Sequence, residues 1–187
     1  MKNIITLILF LISFLPYNAQ IISLDQISQC ENINCPEYSS IKDISNRLDK
    51  FVGTWKGSFT DGRTYEFHFI KKSDFSLYGE KPWDLLIGKI LVKDNNGNIL
   101  ETTINLPDDS THFNGYLFDK NLKGYKLYYS GNAECNDKGF VYIYFKEPSN
   151  LSQLSLMFLQ DYDIVANCPN GYKTIMPNNK IIRLIKQ

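Results

Sequence analysis

Histidine is scarce in this chain: among 187 residues there are two, His68 and His112. Serine–histidine or cysteine–histidine catalysis needs an imidazole held beside its nucleophile by an orienting group, and both histidines read instead as strand-face or surface residues. An excess of charge of either sign is also missing, with 20 basic and 20 acidic residues. Such a balance makes no global field to attract nucleic acid or an anionic membrane, so no nucleic-acid partner is expected. Neither a Gly-x-Ser-x-Gly elbow nor a His-Glu-x-x-His pair is present, and there is no phosphate-binding loop or dinucleotide fingerprint. No cofactor is expected, and the chain does not read as an enzyme. The acidic clusters have simpler uses than a metal. Asp108-Asp109 follows Pro107 in a turn, and Asp161 and Asp163 flank Tyr162. Asp94-Asn95-Asn96-Gly97-Asn98 lacks the spacing and closing Glu of a calcium loop. No metal site is assigned.

Long apolar runs are absent except at the start. Ile4 to Leu15 is almost unbroken Ile, Leu and Phe after the cationic Lys2. That is short of the roughly 20 residues that a membrane span requires. It fits the apolar region of a secretory signal, with Asn18-Ala19-Gln20 offering a small residue at the cleavage point. Residues 1–19 are therefore read as a signal peptide, and the remainder as a secreted or periplasmic protein without stable membrane insertion. The four cysteines agree with that compartment. An even number in an exported chain reads as two disulfides, with three possible connectivities. The favoured one closes a small loop through Cys30–Cys35 and joins two late turns through Cys135–Cys168.

After a polar stretch, Ser40-Ile41-Lys42-Asp43 resembles a capping box with Asp in place of Glu. Ile41, Ile44, Leu48 and Phe51 then recur at helical spacing. A short amphipathic helix is expected from Ile41 to Lys50, inside an N-terminal segment spanning residues 20–50. From Gly53 the apolar period becomes two. Strands are expected at Thr64–Lys71, Leu86–Lys93, Leu100–Leu106, His112–Phe118, Tyr125–Ser130, Phe140–Lys146, Leu151–Gln160 and Lys180–Ile185. Aromatic residues, 14% of the chain, favour strands too. Regular short strands bounded by Gly, Asn, Asp and Pro mean a sandwich or a barrel. The first hairpin has a parity argument of its own. A three-residue loop, Thr60-Asp61-Gly62, pairs Gly57 with Tyr65, so Trp55, Gly57 and Phe59 share a face with Tyr65, Phe67 and Phe69. Such a loop ends in the left-handed region, which Gly62 tolerates.

Gly53-Thr54-Trp55, opening the first strand after a short helix, resembles the lipocalin and calycin opening. In that family the Trp packs at the closed base of an eight-stranded barrel, under a basic residue from near the last strand. The resemblance implies that role for Trp55, with Arg183 as the basic residue in Lys180-Ile181-Ile182-Arg183-Leu184. The signal, the Phe51-to-Gly57 segment and Met176-Pro177-Asn178-Asn179-Lys180 also resemble small secreted Bacteroidetes proteins of unknown function. The expected fold is all-β: an antiparallel, lipocalin-like up-and-down barrel of eight to nine strands over residues 51–187, with a short N-terminal helix.

Two uses of such a barrel differ in what fills it. A hollow one would take a small hydrophobic or amphipathic ligand, with Trp83, Tyr128, Tyr142 and Phe158 as candidate binding residues. A filled one would act as a protein-interaction module, an inhibitor or envelope component working through its loops. Eight strands leave room for the side chains or for one small ligand. A cavity would decide for the first, and an exposed aromatic patch near Trp83 over a filled core for the second.

Overall fold

Alternating strands close on themselves. A computed structural model describes residues 20–30, 35–76, 80–163 and 168–187; the expected signal, residues 1–19, lies outside them. The elements are β1 (Ile21–Ser23), α1 (Leu24–Gln29), β2 (Ser40–Lys42), β3 (Gly53–Ser58), β4 (Thr64–Phe75), β5 (Trp83–Lys93), β6 (Ile99–Thr102), β7 (Phe113–Phe118), β8 (Gly124–Ser130), β9 (Lys138–Tyr144), β10 (Gln153–Gln160) and β11 (Ile181–Lys186). Neighbours run β5-β4-β3-β11-β10-β9-β8-β7, and β7 pairs back onto β5. The result is a closed antiparallel barrel of eight strands. β6 is a side excursion that pairs with β5 alone. β1 and β2 pair in parallel and join the barrel where Ile41 meets Trp83.

The first hairpin has the register that its parity demands. Gly57 lies opposite Tyr65 and Ser58 opposite Thr64. The Phe59 amide bonds to the Arg63 carbonyl, and Gly62 turns the chain at φ +89°. Trp55, Tyr65, Phe67 and Phe69 all point inward and are at most 1% exposed. The same alternation buries Tyr125, Leu127 and Tyr129 on β8, Val141 and Ile143 on β9, and Leu154, Leu156 and Phe158 on β10. Rings from four strands touch in series: Phe67–Phe113 at 5.7 Å, Phe113–Tyr129 at 4.7 Å and Tyr129–Phe158 at 5.7 Å between centroids. These side chains form one packed cluster inside the barrel.

The described residues 20–30 and 35–51 seal one end, though not as a helix over Ile41–Lys50. The helix is α1, whose capping box is Ser23 with Gln26. Ile41 falls in β2, turns follow, and a single 3-10 turn spans Asp49–Phe51. Ile41, Leu48 and Phe51 are buried as the apolar stripe requires, but Ile44 is 65% exposed. Asp43 explains the difference. Its carboxylate accepts from the Arg47 and Leu48 amides at 2.9 and 3.1 Å, holding a turn that competes with the helix ladder. Phe51 then stacks on Phe145 at 5.1 Å, and its carbonyl accepts the Trp55 indole N–H at 2.8 Å. The cation over that indole is Lys186, 5.3 Å from the ring centroid, not Arg183. Parity decides this: Ile182 and Leu184 face the core, so Arg183 is exposed while Lys186 shares their side of β11. Gly53, at φ +130°, lies under the Lys186 chain, 3.0 Å from where a Cβ would stand.

Residues 168–180, which lead into β11, seal the other end. Both disulfides, Cys30–Cys35 and Cys135–Cys168, are formed, and the second anchors this segment to the β8–β9 turn. One Arg63 nitrogen donates to the Thr174 and Ile175 carbonyls at 2.7 and 2.6 Å, and Met176 is fully buried. Asp137, fully buried, accepts through Oδ2 from the Tyr172 hydroxyl at 2.9 Å and the Ile175 amide at 3.1 Å. Its Oδ1 has no partner among the described residues.

Burial raises the Asp137 pKa above its ordinary value, against the hydrogen bonds that favour the anion. The folded state therefore holds this proton above about pH 3.9, where an unfolded Asp releases it. Between those two pKa values folding takes up a proton, so this group's contribution falls as pH rises. Melts of the protein and of Asp137→Asn from pH 4 to 7 should show the wild type losing stability relative to the variant. A difference that stays flat or grows would contradict the assignment.

Candidate functional site

The four candidate ligand residues do not converge. Phe158 is in the core. Tyr128 and Tyr142 alternate with the buried residues of β8 and β9, and so lie on the outer wall. Trp83 opens β5, half-buried beside β2. The clefts described below likewise lie outside the lumen.

Two of these residues belong to a row of rings on the outer wall. Trp83 stacks with Tyr116 at 6.4 Å, Tyr116 meets Phe140 at 5.8 Å, and Phe140 meets Tyr128 edge-on at 5.4 Å. Tyr116 reaches this face by alternation, directly after the inward Gly115, which lies opposite the buried Leu127. The register shifts between Gly115 and Phe118, which puts two residues between the inward Gly115 and the inward Phe118 and re-aims one of them. A Cβ at position 115 would stand 2.3 Å from the Tyr125 hydroxyl and 2.6 Å from the Leu86 carbonyl. Glycine is what this close approach permits. Tyr116 is 42% exposed.

The Trp83–Tyr116 pair is shared by two adjoining clefts. One, of about 450 Å³, runs between them and Ile27, Tyr38 and the Cys30–Cys35 bridge. The other, of about 170 Å³, adds Phe75 and Leu85. Lys126 Nζ lies 5.2 Å from the Tyr116 ring centroid, and Lys81 Nζ lies 4.4 Å from that of Tyr38. At the far end of the row the Tyr128 hydroxyl donates to Asp161 at 2.8 Å; burial and that carboxylate push its pKa up to about 12. Tyr142 is opposite Lys126 in the ladder. A third cleft, about 450 Å³, lies on the opposite outer wall beside Lys56, Glu66 and Lys93.

A family model described as a family of unknown function (DUF6705) matches residues 1–180. The chain belongs to DUF6705. No curated protein matches it, and no solved structure does. Within this DUF6705 chain the residues first weighed for chemistry have structural occupations. Asp108 pairs with Lys72 and, at 3.0 Å, with Lys89. His68 Nε2 is 2.6 Å from Glu66 on the outer wall, and the His112 ring packs near Tyr129. Asp163 pairs with Lys138. The outer-wall clefts have lining or bordering residues that sequence reasoning missed, namely Tyr116, Lys126 and Lys81. Tyr116 carried one signal, its place directly after Gly115 in a strand, where glycine marks a bulge or a close approach.

Proposed function

We propose that this protein works outside the cytoplasm as an interaction module, binding a partner protein through the outer aromatic row at Trp83 and Tyr116. The observation that carries the reading is the pairing of a packed cluster inside the barrel with a half-exposed line of Trp, Tyr and Phe rings on the wall. Tyr and Trp offer large contact area with few rotatable bonds and are enriched at protein interfaces. A patch of this kind, bordered by lysines, marks an interaction site on a soluble domain. The two disulfides and the lack, among the described residues, of a helix long and apolar enough to cross a membrane are consistent with an extracellular or periplasmic place. On this reading the protein is secreted, needs no cofactor and catalyses nothing.

Site-specific photocrosslinking in the protein's own host tests this. A benzophenone amino acid at Tyr116 should give one discrete heavier protein adduct, and the same group at Ile99, on β6, should not. Absence of the adduct, together with a stoichiometric small molecule released from the purified protein by organic extraction, would restore the carrier reading.

A further inference from the structure

The chemistry of the partner can be read from the cations at the cleft. Lys81 and Lys126 lie flat against Tyr38 and Tyr116. Among the described residues neither meets a carboxylate at ion-pair distance, whereas Lys42, Lys56, Lys71, Lys72, Lys89 and Lys138 all do. Of the acids that line the clefts, Asp119 is turned into its own hairpin, where it accepts the Lys123 and Gly124 amides at 2.9 and 3.1 Å. Glu80 lines the smaller cleft. An ordinary surface lysine loses side-chain entropy when it forms an ion pair, which is why exposed pairs contribute little. These two are already placed by the ring faces beneath them, so less freedom is lost when an anion arrives.

We infer that the occupant is an acidic segment of a partner protein, with an apolar side chain seated in the cleft against Trp83 and Tyr116 and its carboxylates on Lys81 and Lys126. This deepens the proposed reading of the same face and rests on it. The apolar anchor supplies the buried centre, and the charge pairs at the rim set orientation and partner choice. Attraction of this kind weakens as salt rises.

The test is a random peptide library displayed on phage and panned against the full chain and two double variants, Lys81→Gln/Lys126→Gln and Trp83→Ala/Tyr116→Ala. The expected consensus places acidic residues around an aliphatic or aromatic one. Synthetic peptides of that consensus should lose about tenfold or more in affinity for the lysine variant and lose binding to the aromatic variant. A consensus without acidic residues, or acidic peptides that bind the lysine variant equally well, overturns the acidic partner while leaving the site standing if the aromatic variant loses them. Peptides indifferent to both variants overturn the inference and the site together. An empty selection alongside Trp83-dependent binding of polygalacturonate assigns the face to a glycan and overturns the peptide.

Discussion

Trp55→Ala should cost about 3–5 kcal/mol of stability and lower the melting temperature by on the order of 10 °C. Three observations put it at the upper end of the usual cost for a large core residue. The indole is fully buried. Its N–H satisfies the Phe51 carbonyl, and removing it orphans an acceptor inside the plug, where an unpaired group costs about 1–3 kcal/mol. The ring also lies under Lys186 and beside Phe145, at 5.3 and 6.0 Å, so its loss opens the seam between wall and plug. Trp55→Phe separates these contributions. It keeps most of the volume and loses the hydrogen bond, and should cost about 1–2 kcal/mol. Urea titrations of both variants measure the difference. A loss below 1 kcal/mol for the alanine would mean that the packing of Phe51 on Trp55 and Phe145 is not what holds this end closed.

Removing the Cys135–Cys168 bridge, as Cys135→Ala/Cys168→Ala, should cost about 3–4 kcal/mol. The sequence separation is 33 for this bridge and 5 for Cys30–Cys35. Loop-closure entropy grows with the logarithm of length, so the shorter bridge should contribute about 2 kcal/mol. Hydrogen exchange should show where the loss is spent. The Ile175 amide, bonded to Asp137 across the sealed end, and the Asp137 amide, bonded to the Asn132 carbonyl within the β8–β9 turn, should lose protection first in the long-bridge variant and be unchanged in Cys30→Ala/Cys35→Ala. Equal costs for the two pairs would mean that residues 168–180 are held by Arg63 and Asp137 rather than by sulfur.

Most of the wall was legible in the sequence, because alternation writes a barrel strand directly: Phe59, Gly62 and Tyr65 together specified the first hairpin to the residue. The plug was not. Its burial followed the helical stripe at Ile41, Leu48 and Phe51, yet a buried Asp43 that satisfies two amides, and a strand pairing with β5, gave those residues another backbone. The capping box at Ser23–Gln26 was present, but polar neighbours hid a helix of 6 residues. The lipocalin resemblance implied Arg183 over Trp55, whereas parity counted from Ile182 points to Lys186. The outer aromatic site was the least legible part. It is assembled from four strands, and alternation alone puts Tyr116 outward without saying which rings of the other strands it meets.

The barrel closes where Ile185 and Lys186 lie opposite Lys56 and Trp55. Those partners are about 130 residues apart in sequence, so among the described strand pairings this seam has the highest contact order and the greatest closure entropy. Until β11 arrives, β3 and β10 are both open edges, each a template for pairing with another molecule. The time between synthesis of β10 and docking of β11 is therefore this protein's window for aggregation. A substitution in the seam acts first on how fast that window shuts, and only then on how stable the finished barrel is.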